Sequence, residues 1–396
     1  MRCTAPGLLA IAAATTILAS CALPGTATSP TASTIPSATP SDSPTPALTP
    51  TPDLCTNTSA LATWSVTRLA EQTLVVPVEE SDVAAVTAEV SAGAGGVILF
   101  GSSAPANLGA GLHALSAVAP GGIAPFVMTD EEGGAVQRMA NLVGSLPSAR
   151  QMAATMSPAQ IRQLLTTVAQ RMRAAGVTMD LAPVLDLDNG VGPDNQDPDG
   201  TRSFSLTPGI AGADGVAFMQ GLEAGGVIPV VKHFPGLGQA SANTDVKPAT
   251  TQPWSALQHA GLLPFETAFA GGAPVVMIAN ATVPGLSTLP ASISPVVMTT
   301  VLRDQLGFHG LVITDSLSAG ALVDIGYSVP KAVVASITAG ADMVLYTAAA
   351  AQVASLTAAT AAALVAAVNA GTLPLSRLVS AVADILTAKH VNLCAG

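Results

Sequence analysis

Short apolar segments alternate with longer amphipathic segments along most of this chain, and this alternation limits the folds available to it. Eight apolar segments of strand length occur between residues 73 and 345, separated by segments of helical character. Strands that alternate with helices form parallel sheets, and eight such units are the number at which the sheet closes into a barrel. The predicted strands are Thr73–Val76, Gly96–Phe100, Pro125–Thr129, Val177–Ala182, Ile228–Val231, Pro274–Ala279, Leu311–Thr314 and Asp342–Leu345.

The alternative arrangement is an open, doubly wound sheet. Such sheets commonly carry a G-x-G-x-x-G turn after their first strand, and this chain has none there. We therefore predict an α/β fold, a single-domain (β/α)8 barrel of the TIM type. The predicted helices are Val83–Ala92, Leu112–Val118, Pro158–Ala175, Gly209–Ala224, Leu262–Ala270, Pro295–Gln305 and Pro330–Ala339, followed by helical stretches at 351–369 and 375–388.

The N-terminus has the pattern of an export signal. A positive start at Met1 and Arg2 precedes the apolar run 8–18, and small residues lead into Cys21. This order is typical of a secretory signal, and the run is shorter than the roughly 20 apolar residues that span a bilayer. The cysteine resembles that of a bacterial lipobox, where it is lipidated. The alternative is an ordinary signal peptide with an incidental Cys21. We predict a lipoprotein signal at 1–20 and an extracytoplasmic protein anchored to the bacterial cell membrane.

Residues 21–54 are dominated by Ser, Thr, Pro and Ala. Such a segment cannot bury enough apolar surface to fold, so we expect a disordered linker that its prolines keep extended. The barrel is expected to occupy 55–396. Charged residues make up 10% of the chain, the net charge is −11, and there is no basic stripe. Nucleic acid is therefore not an expected partner, and we expect a monomer.

The four cysteines divide between the leader and the domain. Cys3 is expected to leave with the signal and Cys21 to be lipidated, which leaves Cys55 and Cys394 near the two ends of the domain. In an exported protein this pair is a candidate disulfide, and the alternative is two unpaired thiols. No metal site is predicted, because Cys and His residues do not cluster as zinc ligands do.

Polar residues follow the predicted strands. In barrel enzymes this end of the strands carries the chemistry, so we expect a polar, carboxylate-lined mouth suited to a hydroxylated substrate. The residues at these positions are Asp130, Glu131, Glu132, Asp186, Asp197, Arg202, Lys232, His233, Asn280, Asp315 and Tyr346. No G-x-S-x-G, H-E-x-x-H or P-loop motif is present. Two carboxylates that flank a sugar bond would be the natural chemistry here.

Several of these residues lie in recognisable motifs. Residues 232–238 read K-H-F-P-G-L-G, which resembles the K-H-F-P-G-H-G signature of glycoside hydrolase family 3, in its β-N-acetylglucosaminidase branch. Further segments resemble motifs of that family and occur in the family's order. They are D-E-E-G-G-A-V-Q-R at 130–138, R-S-F at 202–204, L-G-F-H-G-L-V-I-T-D-S-L at 306–317 and A-G-A-D-M at 339–343.

The resemblance implies a retaining hydrolase with no metal or organic cofactor. Asp315 would be the nucleophile that forms a glycosyl-enzyme. Asp130, Arg202, Lys232 and His233 would bind the hydroxyls of the terminal sugar. The implied substrate is terminal β-linked N-acetylglucosamine, as in cell-wall (peptidoglycan) fragments.

The sequence departs from the family on the loop that follows K-H-F-P-G-L-G. The branch resembled here takes its acid/base group from a histidine held by an aspartate. Counting along the loop places Asn243 at the aspartate and Asp245 at the histidine. Leu237, Ala135 and Asn280 also replace polar residues of the family pattern.

Three interpretations follow from this departure. Asp245 could serve as the acid/base group, since burial or nearby negative charge favours a protonated carboxyl. Alternatively, the protein is an impaired relative that binds sugar or wall fragments without efficient hydrolysis. In the third interpretation the barrel is an interaction scaffold, although the retained Asp315 and sugar-binding residues argue against this.

Overall fold

The computed structural model describes residues 56–394, so the predicted signal, linker and Cys55 lie outside the described residues. Eight parallel strands form one sheet in the order β10-β1-β2-β3-β6-β7-β8-β9. Between β9 and β10, the Met343 N–H donates to the Val312 carbonyl (3.0 Å) and the Thr314 N–H to the Met343 carbonyl (3.2 Å), which completes the ring. The predicted (β/α)8 barrel is confirmed. The strands are β1 Leu74–Glu79, β2 Gly96–Phe100, β3 Phe126–Thr129, β4 Glu131–Gly133, β5 Val136–Gln137, β6 Met179–Asp180, β7 Ile228–Phe234, β8 Val275–Ile278, β9 Leu311–Thr314 and β10 Val344–Leu345.

The helices alternate with the barrel strands and form the outer layer. Short 3-10 turns, such as Val83–Val86, and the π-helical segments Leu257–Gly261 and Val296–Gln305 accompany them. The α-helices are α1 Asn57–Leu61, α2 Val66–Gln72, α3 Thr87–Ala92, α4 Leu108–Ala117, α5 Ala140–Val143, α6 Ala149–Thr155, α7 Pro158–Ala174, α8 Pro208–Ala224, α9 Trp254–Ala256, α10 Leu263–Ala270, α11 Gly320–Val323, α12 Val329–Ala339, α13 Val353–Asn369 and α14 Leu375–Ala388.

The barrel interior is filled by side chains. Inward-facing residues of successive strands stack in layers, as expected for a closed barrel of this size. They form one buried apolar cluster, to which α14 adds Ile385: Val75, Ile98, Phe126, Met128, Met179, Leu181, Val230, Val275, Met277, Leu311, Ile313, Met343 and Leu345. The interior is therefore a packed core, and the functional space lies above it.

Helices α7 and α8 pack closely because glycine faces the contact. A Cβ atom on Gly225 would lie 2.3 Å from the Cβ of Ala169, and one on Gly221 would lie 2.7 Å from the carbonyl oxygen of Arg162. Real Cβ atoms do not approach other atoms so closely, so both positions require glycine. Helix α7 begins with a capping box in which the Ser157 and Gln160 side chains satisfy free N–H groups.

Helix α14 covers the N-terminal end of the barrel. The ammonium of Lys389, the residue after α14, lies over the ring of Phe126, the first residue of β3. The two ends of the described chain meet close by: the Asn57 side chain donates to the Val391 carbonyl (2.8 Å) and accepts from the Leu393 N–H (2.8 Å). The domain therefore begins and ends on the face opposite the C-terminal ends of the strands.

One described helix, with the turn before it (Ala350–Asn369), is long and apolar enough to cross a membrane. In the structure this helix, α13, packs against α2 and α12 in the outer layer. Its inner residues Val353, Thr357 and Leu364 are buried against the barrel. It is therefore a helix of the folded domain, as its place in the alternating pattern predicts.

Candidate active site

A cavity of about 450 Å³ opens at the C-terminal ends of the strands. Every residue that the sequence assigned to catalysis or sugar binding lines it: Asp130, Arg202, Lys232, His233, Asp245 and Asp315. The cavity floor includes Ile98, Leu181 and Met277 from the barrel interior. The structure thus brings together residues that are up to 185 positions apart in the sequence, from Asp130 to Asp315.

An ion network forms the deep side of the cavity. The Lys232 ammonium donates to Asp130 (3.0 Å) and to Glu132 (2.6 Å). The guanidinium of Arg202 donates through Nε and Nη2 to the two carboxylate oxygens of Glu132, at 2.8 and 2.9 Å. Arg138 reaches the other oxygen of Asp130 at 3.4 Å. Lys232 carries three donors and uses two of them here, so one remains for a ligand.

Glu132 is the centre of this network. Burial disfavours its charge, but Arg202 and Lys232 outweigh that effect and hold its pKa well below the ordinary value. The same carboxylate raises the pKa values of Lys232 and Arg202 against their own desolvation. The sequence placed Glu132 at the mouth without assigning it a role. A signal was present, because alternate residues of an extended segment face the same side, which pairs Glu132 with Asp130.

His233 is held by Asp186. Its Nδ1 lies 2.6 Å from Asp186 Oδ2, which also accepts the His233 backbone N–H (3.0 Å), while Oδ1 accepts the Leu237 N–H (2.6 Å). Nδ1 is therefore the donor, and the unprotonated Nε2 accepts a long hydrogen bond from Arg202 Nη2 at 3.5 Å. Burial, followed by the charge of Arg202, lowers the pKa of His233 to about 4. The imidazole is neutral near pH 7. Asp186 is a second residue whose role was not predicted from the sequence.

Four residues predicted at the mouth have other roles, which corrects that part of the sequence analysis. Glu131 is buried and accepts hydrogen bonds from Gln137 Nε2 (2.8 Å) and the Arg138 N–H (2.7 Å), which folds the β4–β5 hairpin. Asp197 accepts backbone N–H groups within its own loop. Asn280 and Tyr346 are fully buried. The side chains of Glu131, Asn280 and Tyr346 point into the protein, and that of Asp197 binds its own loop.

Asp315 directly follows β9 and is partly buried at the cavity wall. The Ser316 N–H donates to its Oδ1 at 2.7 Å. Burial raises the pKa of Asp315, His233 opposes the rise, and the negative charge of Asp245 adds to it. One carboxylate oxygen is thereby oriented, and the acidity of the group depends on its neighbours.

Asp245 lies at the outer edge of the same cavity and is solvent-exposed. It is therefore not in the buried setting that the sequence analysis considered for a substitute acid. Its loop is well anchored: the Asp245 carbonyl accepts the Gly320 N–H (3.0 Å), and the Thr244 carbonyl accepts the Ala321 N–H (2.9 Å). Asn243, at the position of the family's aspartate, donates through Nδ2 to the Asp194 carbonyl at 3.3 Å.

A cluster of metal-ligand type lies behind the sugar-binding residues. Within residues 56–394, Asp186, Asp199 and His233 form the one group whose ligand atoms approach within 4.8 Å of one another. The Arg202 guanidinium already supplies positive charge there, 3.7 Å from Asp199 and 3.5 Å from His233. A cation would have to compete with it, and the prediction of no metal site stays a prediction.

Comparison with known proteins gives consistent matches. The model of the glycosyl hydrolase family 3 N-terminal domain matches residues 72–388. The β-hexosaminidase LpqI of Mycobacterium tuberculosis is 36% identical over 330 residues, covering 81% of this chain and 82% of LpqI. The solved structure of M. tuberculosis LpqI superposes with a TM-score of 0.75 at 34% identity, covering 85% of this chain and 96% of that one. A β-N-acetylhexosaminidase from Beutenbergia cavernae superposes with a TM-score of 0.74 at 30% identity, covering 83% and 100%.

Proposed function

The chain belongs to glycosyl hydrolase family 3, and on that premise we propose a retaining β-N-acetylhexosaminidase that releases terminal β-linked N-acetylglucosamine from cell-wall fragments. As a member with β-hexosaminidase relatives, it is a glycosidase that hydrolyses O-glycosyl bonds. The proposed nucleophile is Asp315 and the proposed acid/base group is Asp245. Asp130, Arg202, Lys232 and His233 are the proposed ligands of the terminal sugar.

One observation carries this proposal: a single cavity is lined by both carboxylates and by the deep ion network. The network offers mixed donors and acceptors, as sugar hydroxyls require. Lys232 retains one N–H, and His233 presents an unprotonated Nε2. The monomeric state stays a prediction.

The proposed reaction has two balanced steps. In the first, a carboxylate oxygen of Asp315 bonds to the anomeric carbon, the bond to the leaving oxygen breaks, and Asp245 gives its proton to that oxygen. In the second step, a water molecule gives a proton to Asp245 and the water oxygen bonds to the anomeric carbon. The bond between that carbon and Asp315 breaks, which frees the Asp315 carboxylate. The exposed position of Asp245 gives water direct access to it.

The alternative is a relative that binds sugar without efficient cleavage. The specific observation in its favour is that Asp245 is solvent-exposed, whereas Glu132, Lys232 and His233 on the deep side of the cavity are buried. General acid–base help contributes about 10²- to 10⁴-fold. Its loss would therefore leave the cavity able to bind and the chemistry slow.

An assay with an aryl β-N-acetylglucosaminide separates the two. The parent is compared with Asp315→Asn and Asp245→Asn, and the anomer released first is followed by NMR. We expect the β-anomer from the parent and a loss of more than about 10³-fold for Asp315→Asn. Release of the α-anomer, or unchanged turnover by Asp315→Asn, would refute the proposal. Saturable binding of N-acetylglucosamine without turnover would establish the alternative.

We also propose that the protein is exported and lipid-anchored through Cys21, where it meets wall fragments. The apolar run and small residues before Cys21 support this. A Cys21→Ser variant is expected to move from the membrane fraction to the soluble fraction. Equal membrane association of the variant and the parent would contradict anchoring at this residue.

A further inference from the structure

Beside Asp315, a chain of three hydroxyls lines the cavity, and the roles assigned above do not use it. Ser316 Oγ lies 2.9 Å from Ser318 Oγ, and Ser318 Oγ lies 2.6 Å from Thr347 Oγ1. The Thr347 backbone N–H also donates to Ser318 Oγ at 2.9 Å. We propose that this hydroxyl chain is the binding subsite for the leaving group, and that it selects leaving groups that are themselves sugars.

A count of protons shows why the chain can bind a ligand. Each hydroxyl has one proton to donate and two lone pairs. The two contacts within the chain use two of its three protons. If Ser316 donates to Ser318 and Ser318 donates to Thr347, the third proton is free on Thr347. If the donation runs the other way, the third proton is free on Ser316. Since both ends line the cavity, either direction presents an unused donor to a bound molecule.

Depth within the cavity indicates which part of the substrate the chain meets. Lys232 and His233, two of the proposed sugar ligands, are almost completely buried, so the terminal sugar occupies the deepest part of the cavity. Asp315 is partly buried, and Thr347 is solvent-exposed at the outer edge. A group attached to the anomeric carbon of that sugar must therefore extend toward Ser318 and Thr347.

The position of the proposed acid supports the same direction. The Asp245 carbonyl accepts the Gly320 N–H, two residues beyond Ser318 on the loop that follows Asp315. Asp245, Ser318 and Ala319 thus line one wall of the outer cavity. The leaving oxygen has to reach Asp245 to gain its proton, and its own substituents then face the hydroxyl chain. This inference rests on the proposed hydrolase function.

The test compares a leaving group that carries hydroxyls with one that carries none. Thr347→Val keeps the branched shape and removes the hydroxyl, and Thr347→Ser restores it. We expect Thr347→Val to lower kcat/KM for N,N'-diacetylchitobiose about threefold to tenfold, the range of one neutral hydrogen bond. The value for an aryl β-N-acetylglucosaminide should stay within twofold, and Thr347→Ser should recover the disaccharide value. Ser318→Ala, which breaks the chain, should act as Thr347→Val does.

Ser287→Ala is the matched control, because Ser287 Oγ also lies 2.9 Å from a serine hydroxyl, that of Ser294, outside the cavity. An equal loss for both substrates, or no loss for the disaccharide, would overturn the subsite. Calorimetry in the Asp315→Asn background separates this outcome from failure of the hydrolase proposal. If the parent shows no turnover, the subsite is still supported when the disaccharide binds more tightly than N-acetylglucosamine and Thr347→Val removes that difference. Equal binding of the two sugars would overturn it.

Discussion

Glu132 accepts hydrogen bonds from Arg202 and Lys232 at the same time, and it is almost completely shielded from solvent. A buried carboxylate of this kind is stable only because its partners remain charged, and they remain charged because of it. The sugar-binding side of the cavity is therefore one electrostatic unit. Its members cannot be changed singly without leaving a buried charge unpaired.

The first prediction concerns this unit. Glu132→Gln keeps the side-chain shape but leaves Lys232 and Arg202 with one fewer buried negative charge. We expect the free energy of unfolding to fall by about 3 kcal/mol, as for other broken buried pairs. N-acetylglucosamine binding should weaken as well. Urea unfolding and calorimetry measure the two effects, with the exposed Glu79→Gln as control. A stability within about 1 kcal/mol of the parent would show that the network is not coupled in this way.

The second prediction concerns the acidity of Asp315. Burial raises its pKa, His233 opposes this, and the charge of Asp245 raises it further. A nucleophile must be ionised, so activity falls as the pH drops through this pKa. Asp245→Asn removes a negative charge, which lowers the pKa of Asp315. The acid limb of kcat/KM should therefore move to lower pH, by about half a pH unit or more.

An activated aryl substrate is needed for that measurement, because its leaving group departs without an acid and the limb then reports on Asp315. Asp324→Asn, on an exposed position after α11, controls for the general loss of one charge. An acid limb that stays in place in Asp245→Asn, or moves to higher pH, would contradict the coupling.

Among the secondary-structure elements, the loop of Asp245 and helix α11 are joined at Gly320. A Cβ atom on this residue would lie 2.3 Å from the Val246 carbonyl oxygen and 2.5 Å from its carbon. Glycine thus permits the contact through which the Gly320 N–H and the Ala321 N–H hold the loop. The loop that follows the proposed nucleophile consequently positions the proposed acid.

The third prediction follows from this contact. Gly320→Ala should push the loop outward and displace Asp245 while Asp315 stays on β9. We expect kcat/KM to fall at least about tenfold for the unactivated disaccharide, since general acid help is worth 10²- to 10⁴-fold. An activated aryl glycoside should lose less than threefold. Gly209→Ala is the control, because nothing lies within 4 Å of its Cβ position. Equal losses for both substrates would indicate a general disturbance of the cavity instead.

Elements differed in how well the sequence predicted them. The bounds of β2 and β9 agree with the prediction, because both are continuous apolar runs that glycine or a polar residue delimits. Of the predicted strand Val177–Ala182, only Met179–Asp180 is a regular strand, although hydrogen bonds to neighbouring strands continue to Pro183, whose carbonyl accepts the Lys232 N–H at 3.1 Å. The β4–β5 hairpin was not predicted. Its first strand is charged and ends in glycine, and the hairpin forms because the Glu131 carboxylate accepts hydrogen bonds from Gln137 Nε2 and the Arg138 N–H.

The candidate site was likewise predicted only in part from the sequence. Motif residues such as Asp130 and Lys232 were expected near one another, and they line one cavity. The bridging roles of Glu132 and Asp186 depend on which side chains meet across the barrel. A strand pattern gives the face of each residue but not its partner on another strand. The hydroxyl of Thr347 follows β10 and meets Ser318 only because the ring closes.

In the whole molecule, the two ends of the domain lie together beneath the barrel. Asn57 makes two hydrogen bonds to the segment after α14, and Cys394 at the end of that segment is disulfide-bonded. Its predicted partner Cys55 lies outside the described residues, so this pairing stays a prediction. The position of Asn57 supports it, because its side chain accepts the N–H of Leu393, the residue before Cys394, at 2.8 Å. A bond here would join the first and last elements of the barrel.

The last prediction is that this bond stabilises the closed barrel through its unfolded state. A crosslink over more than 300 residues lowers the conformational entropy of the unfolded chain, and the loop-closure model gives a stabilisation of about 6 kcal/mol, with less in practice. Cys394→Ser should lower the melting temperature, and reductant should lower that of the parent to the same value without affecting the variant. Cys55→Ser should behave identically if Cys55 is the partner, whereas Cys21→Ser should melt like the parent. Equal melting temperatures of the oxidised and reduced parent would contradict this role.

Non-reducing mass spectrometry tests the partner separately. If Cys394 still forms a disulfide in Cys55→Ser, its partner is a cysteine other than Cys55.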